Sequence, residues 1–467
     1  MSAPASSTRQ LAHFVAGADY SRLPAAVTEA LHGLLIDYFR VASVGRHADW
    51  VGKYRAGLAG SMGKPQASLL YSTERADVVR AAGINGVIAG SLEWDDTHVG
   101  AMLHPGVVVW PAALAIGQKT GARGTEILAA VAAGYEVIIR IGLSVQPAHF
   151  QRGFQSTSTC GVFGAAAAAA KLLGLDETGI RNALGIAASY AGGVTQFFLS
   201  GSEVKRIHAG KAAAAGVEAA LFAAAGLSGP PDAIEGRQGF ANALAGAFDP
   251  SVIERRLGDE WHLLRLQMKP HAVSARVLAA VEAAETLARD GTRPDMIESV
   301  TIGIPSVIQG RLTNNAPADI QQAQMSSPFA VAMAFALTPD DGAPLVLGFE
   351  ECNRALARAD ILELSRRISC VIDPDIEALS TTEYVAARVT VHRKDGTQRE
   401  AVIPVPMGSP DRPMGARDLL ARFQAMTAGV IEASALERWV AVAADHDRPG
   451  WADDVMSLHA GTVEGRT

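Results

Sequence analysis

Apolar residues recur at helical spacing along most of the first half of the chain. In LPAAVTEALHGLLIDYFRVASVG they return every three or four positions, and Gly45 closes the run. That spacing predicts a helix with one buried face. RADVVRAAGINGVIAGSL, VVVWPAALAIGQKTG, GTEILAAVAAGYEVIIRIGLSV and GIRNALGIAASYAGG repeat the pattern. Alanine and glycine are dense on these segments, and small side chains let helices approach closely. The prediction is a packed bundle with buried central helices from Leu11 to about Leu227. No fixed-period repeat is present, which argues against a solenoid.

The pattern changes near Trp261. ESVTIGIP, from Glu298 to Pro305, alternates like a half-buried strand. AARVTVHRKDGTQREAVIPVP, from Ala386 to Pro406, reads as two strands joined at Asp395-Gly396, a hairpin signal. SPFAVAMAFAL and NRALARADILELSRRI read as helices, and ARDLLARFQAMTAG and ASALERWVAVAAD return to helix at the end. The expected fold is mainly α. A large all-helical domain is formed from both chain ends, residues 1–267 and 409–467. A smaller α+β lid domain spans residues 268–408, with the Pro- and Gly-rich MGSPDRPMG at the second crossing.

Composition narrows the function classes. A chain of 467 residues exceeds one compact core, which agrees with two domains. Hydrophobic residues at 49% against charged residues at 19% fit a globular chain and not a disordered one. A net charge of −7 leaves no basic footprint for nucleic acid. Cys160, Cys352 and Cys370 lie far apart without a CxxC pair, which argues against an iron–sulfur cluster or a Cys-based zinc site. Three scattered thiols suit a reducing cytoplasm. The stretch MSAPASSTRQLAHFVAG lacks the basic and apolar regions of a signal peptide. GVFGAAAAAAKLLGL is Ala-rich and interrupted by Lys171, so it reads as a buried helix and not a membrane span. The expectation is a cytoplasmic protein with neither nucleic acid nor membrane as partner.

Against this apolar background, SLEWDDTHVGAMLHPG gathers Glu93, Asp95, Asp96, Thr97, His98 and His104. Asp or Thr ahead of a helix also serves as a cap, and metal sites draw on the same residue types. A second cluster, GSEVKRIHAGKAAAAG, sets Lys205 and His208 three apart at a helix start, with Lys211 one turn on. Cations beside a helix N-terminus suit an anion, because the backbone N–H groups add positive potential. A third, LQMKPHAVSAR, places Lys269 and His271 where the composition shifts, and clefts near domain junctions are usual ligand sites. A fourth, GFQSTSTCGVFG, puts Gln155 and Thr157 in a hydroxyl-rich turn ahead of a helix.

Taken in order, these four segments resemble the MmgE/PrpD family, which includes 2-methylcitrate dehydratase, cis-aconitate decarboxylase and iminodisuccinate epimerase. The resemblance covers nearly the whole chain. It implies a homodimer, a site between the two domains, no metal and no organic cofactor, and a small anionic carboxylate as substrate. Glu93, Asp95, Asp96, Thr97 and His104 match the family's D-x-D-D-T and His-Pro segment, with Glu93 for the first Asp. Lys205 and His208 match its TKPxHxG segment, with Arg206 for the Pro, and Lys269 matches its second lysine. Three departures set the chain apart from decarboxylase-like members. Gln155 stands where a His is common, Val273, Ser274 and Leu278 where a His or Cys follows the lysine, and Phe329 where a Tyr follows the lid motif.

The catalytic candidates are His104, Asp96, Lys205 and Lys269, which match family positions, and His98, which lies in the same segment and remains available for proton transfer. The substrate-binding candidates are Glu93, Asp95, Thr97 and His208, which match family positions, together with Gln155, Thr157 and His271 from the polar segments themselves. His104 or His98 would move the proton, with Asp96 or Glu93 orienting the imidazole, and the two lysines would hold one polyanion. The leading expectation is a lyase that dehydrates or hydrates a small hydroxy-carboxylate, as 2-methylcitrate dehydratase does. Gln155, which can donate a hydrogen bond but cannot shuttle a proton at neutral pH, would make it a poor cis-aconitate decarboxylase. The alternatives are an epimerase or decarboxylase of a related di- or tricarboxylate, or a non-catalytic carboxylate-binding protein.

Overall fold

The computed structural model describes residues 6–197 and 202–458. The first five residues of the N-terminal stretch, and Gly201 ahead of Lys205, lie outside it. The fold is mainly helical with small sheets. Its residues group into two compact units. One holds the chain up to Ser91, Asp95–Leu266 and the chain from Thr427 on; the other holds Leu92–Trp94 and Gln267–Met426.

The first unit is a helical bundle around Gly124–Val145. This is the one described helix long and apolar enough to cross a membrane, and 94% of its most apolar window is buried, as in a core helix. Glu136 and Arg140 on this helix are buried too, and both are answered. Glu136 pairs with Arg140 at 3.0 Å and accepts the Leu263 N–H at 2.9 Å. The Arg140 guanidinium donates to the carbonyls of Val252, Arg255 and Glu260. Buried charges persist where such partners replace water.

Glycine sets how closely the helices around this core approach. A Cβ on Gly210 would fall 2.1 Å from the carbonyl oxygen of Gly83. The helices Val78–Ala89 and Val204–Ala224 therefore cross with backbone against backbone. Arg206 donates to the Ser91 carbonyl at 2.8 Å, tying the start of the second helix to the end of the first. The cationic helix start is thus fixed beside the point where the acid-and-histidine loop begins.

The second unit contains a four-stranded sheet, ordered Ile368–Ile372, Ile297–Ile304, Ala387–Arg393, Gln398–Ile403. The first pair is parallel and the others antiparallel. One face packs on the apolar helices Leu278–Arg289 and Ser327–Leu337. The hairpin turns at Asp395-Gly396 as its sequence predicts, with Gly396 at φ +83°. The helical segment expected to run to Ile368 ends at Arg366, and Ile368–Ile372 pairs as an edge strand. The Pro- and Gly-rich stretch expected at the second crossing belongs to this unit, as does the helix after it, Ala416–Met426. Arg422 on that helix donates to the Leu345 carbonyl at 2.6 Å.

Candidate active site

The loop from Asp96 to Gly106 is closed on itself. Asp96 Oδ1 accepts the Gly106 N–H at 2.9 Å, at the start of the helix Gly106–Thr120. Asp96 Oδ2 accepts the Tyr135 hydroxyl at 3.0 Å, from the buried central helix. Burial, reinforced by the nearby carboxylates Asp37 and Asp95, pushes the Asp96 carboxyl up to about 8. Its side chain is therefore engaged with the scaffold and not with the imidazole of His104.

His104 is nonetheless held tightly. Its backbone N–H donates to Thr157 Oγ1 at 3.0 Å. Its Nδ1 lies 3.0 Å from the Asp96 carbonyl oxygen, 3.0 Å from Thr97 Oγ1 and 3.4 Å from Asp95 Oδ2. A carbonyl oxygen only accepts, so this network assigns the proton to Nδ1 and leaves Nε2 as the basic nitrogen. The side chain is 18% exposed, so the ring is shielded without being sealed. Asp95 brings a carboxylate to the ring, where the sequence pointed to Asp96 or Glu93.

His98 sits in the same loop and does something different. Its Nδ1 accepts the Ala101 N–H at 3.1 Å, and its ring stands edge-on to His262. Burial, with His262 and Arg265 adding positive charge, pushes it down to about 3. It is a neutral ring that pins a turn.

The hydroxyl turn is built around Gln155. Its Oε1 accepts the Ser158 N–H at 2.8 Å, and its N–H donates to Gly193 O at 3.1 Å. Ser158 Oγ and Lys211 Nζ both donate to the Gly192 carbonyl, at 2.5 and 2.9 Å. Lys211, a candidate cation in the sequence, is thus turned onto a loop carbonyl. His208 is buried beside this loop, and its Nδ1 has no hydrogen-bond partner among the described residues. Burial, with Lys211 and Lys205 nearby, lowers it to about 4, so it is neutral at pH 7. Lys205, half-buried, lies one turn earlier on the same helix.

Lys269, His271 and Glu93 belong to the second unit. Lys269 is buried, and its Nζ donates to the Glu93 carbonyl at 2.5 Å. The indole N–H of Trp94 donates back to the Lys269 carbonyl at 2.9 Å. Glu93 has φ +59°, unusual for a side chain with a Cβ. His271 is buried, and its Nδ1 accepts the Leu347 N–H at 3.2 Å. Among the described residues, no three His, Cys, Asp or Glu side chains gather as a metal site would require.

Two contributors escaped the sequence. Tyr135 lies 39 residues from Asp96, and its signal was a lone tyrosine in a mostly apolar helical run. His149 is buried under the hydroxyl turn, with Nε2 3.0 Å from Thr159 Oγ1.

Comparison with known proteins finds relatives along most of the chain. The chain is 26% identical over 457 residues to the cis-aconitate decarboxylase-like protein oryM of Aspergillus oryzae, covering 92% of each chain. It is 24% identical over 451 residues to the cis-aconitate decarboxylase of Aspergillus terreus, covering 91% of this chain and 90% of the relative. It is 28% identical over 375 residues to the human cis-aconitate decarboxylase, covering 78% and 75%. The MmgE/PrpD N-terminal domain model matches residues 9–253 and the MmgE/PrpD C-terminal domain model matches residues 271–447. With both models matched in order along most of its length, the chain belongs to the MmgE/PrpD family.

Proposed function

We propose that this protein is a cofactor-free lyase of small di- or tricarboxylates, and that its reaction is loss of CO₂ from an unsaturated acid of the cis-aconitate type. The observation that carries the reading is the presentation of His104. Nδ1 is occupied by the Asp96 carbonyl, Thr97 and Asp95, which leaves Nε2 to handle a proton. The relatives named as cis-aconitate decarboxylases turn the expectation from dehydration toward decarboxylation.

The chemistry needs two things. When a carboxylate placed β,γ to a double bond leaves as CO₂, its electron pair forms a new double bond. The old pair then moves toward a remaining carboxylate as a dienolate. That charge needs cations and N–H donors, and one proton must be delivered to carbon. His104, neutral at rest, takes a proton from solvent at Nε2, becomes an imidazolium steadied by Asp95, and delivers that proton to carbon. Lys205 and Lys269, on motif grounds, answer the carboxylates. Gln155 is a hydrogen-bonding residue here, so carbon protonation falls to His104 alone.

Dehydration would use the same imidazole as a base, which makes it the second reading. Purified protein given cis-aconitate or 2-methylcitrate separates them. CO₂ release from the first is expected; water loss from the second without CO₂ release would restore the dehydratase. As part of the same proposal the protein acts as a cytoplasmic homodimer, for which light scattering should give twice the chain mass.

A further inference from the structure

We propose that Tyr135 is a positioning residue for His104, acting through the two ends of Asp96. The inference rests on the reading of His104 as the proton-handling group. The geometry is a short relay. Tyr135, fully buried on the central helix, donates to Asp96 Oδ2. The other oxygen of the same carboxyl takes the Gly106 N–H, the first residue of the helix that follows the loop. The backbone carbonyl of that same Asp96 receives the Nδ1–H of His104. One residue therefore fixes the loop's far end with its side chain and the imidazole with its main chain.

The space around this contact is closed. A Cβ on Gly106 would lie 2.5 Å from the Tyr135 hydroxyl and 2.7 Å from Asp96 Oδ1. His104 is two residues before Gly106, and its own N–H is fixed by Thr157. With both flanks held, the ring's direction depends on where the Asp96 carbonyl stands. The Tyr135 hydroxyl sets that position from a helix that is itself buried in the core. Without the hydroxyl, Asp96 keeps Gly106 but loses its second anchor. The carbonyl can then swing, and the Thr97 hydroxyl, which can donate to Nδ1 as well as accept from it, competes for that nitrogen.

The test uses the full chain with Tyr135→Phe, and Gly106→Ala as a second variant that forces the same contact apart from the other side. The first readout needs no substrate. ¹⁵N-histidine NMR, with His104 assigned by His104→Gln, reports the tautomer directly. The wild type should show a dominant Nδ1–H form, and the variants a mixture. The second readout is CO₂ release from cis-aconitate. The value of kcat should fall roughly ten- to hundredfold, the scale on which small misplacements of a reacting group act, while KM stays within about twofold. A variant with the wild-type tautomer and kcat would overturn the inference. If the wild type releases no CO₂, the proposed reaction fails, and the tautomer readout still decides the role of Tyr135. If the phenylalanine variant does not fold, the alanine variant is read in the same way.

Discussion

Asp95 Oδ2 stands 3.4 Å from Nδ1 of His104, while the carboxyl of its neighbour Asp96 is bound to Gly106 and Tyr135. Two adjacent acids thus have separate tasks. Asp95 can steady a positive imidazolium, and Asp96 holds the loop that presents it.

This division predicts unequal losses on substitution. His104→Ala should lower turnover by roughly 10²- to 10⁴-fold with the fold retained, as for other general acid–base groups. Asp95→Asn should cost roughly ten- to hundredfold, since a hydrogen bond to a charged group is worth about 1.5–3 kcal/mol and the Asp96 carbonyl still selects the tautomer. Steady-state kinetics on cis-aconitate, with circular dichroism as the folding check, ranks the two. An Asp95→Asn loss larger than that of His104→Ala would contradict the assignment.

Gln155 should matter for binding and stability more than for chemistry. Its Oε1 caps the Ser158 N–H, and losing such a cap costs about 1 kcal/mol. Gln155→Ala should raise KM and lower the melting temperature by a few degrees, with kcat changed only a few-fold. A collapse of kcat to the level of His104→Ala would show that Gln155 takes part in the proton step.

The raised Asp96 carboxyl has a stability signature. It titrates near 3.8 in an ordinary environment and near 8 in the folded protein. Between those values the folded state binds a proton that the unfolded chain releases, so this group's contribution to stability is lost as pH rises toward 8. Asp96→Asn keeps an oxygen for Gly106 and has no such titration. The melting temperature of the variant relative to wild type should climb between pH 4 and pH 8. A gap that is constant or shrinks over that range would refute the assignment.

His98 should do the reverse. Its ring is held down to about 3 from an ordinary 6.5, so its contribution is present above pH 6.5 and lost as the pH falls toward 3. His98→Gln should keep turnover within a few-fold and melt with less acid sensitivity than wild type. A turnover loss comparable to that of His104→Ala would return His98 to the chemistry.

The helices were legible because their apolar spacing and their burial obey the same period. GTEILAAVAAGYEVIIRIGLSV is one helix from its first residue to its last. Ile368–Ile372 was not legible, because five residues at a sheet edge carry too little alternation to stand out from the helix before them. The site was legible as a set of polar segments, but not in its pairings. Asp95 and not Asp96 faces the imidazole because the loop folds back from Asp96 to Gly106, and no spacing rule records that reversal. Tyr135 was hidden for a related reason. Its partner lies 39 residues away, and nothing local marks a buried tyrosine as an anchor rather than as core.

The membership of Leu92–Trp94 in the second unit bears on how the gene can be dissected. Gln324 Nε2 donates to the Leu92 carbonyl at 3.1 Å, Lys269 Nζ to the Glu93 carbonyl, and Trp94 to the Lys269 carbonyl. A fragment cloned as residues 267–426 would carry Lys269 and the Gln324 amide without these acceptors, and without the indole that lies against Gly348. The unit is continuous in space but interrupted in the reading frame. Recombination or domain grafting at the junction between the two matched family segments would leave behind three residues that its interior requires.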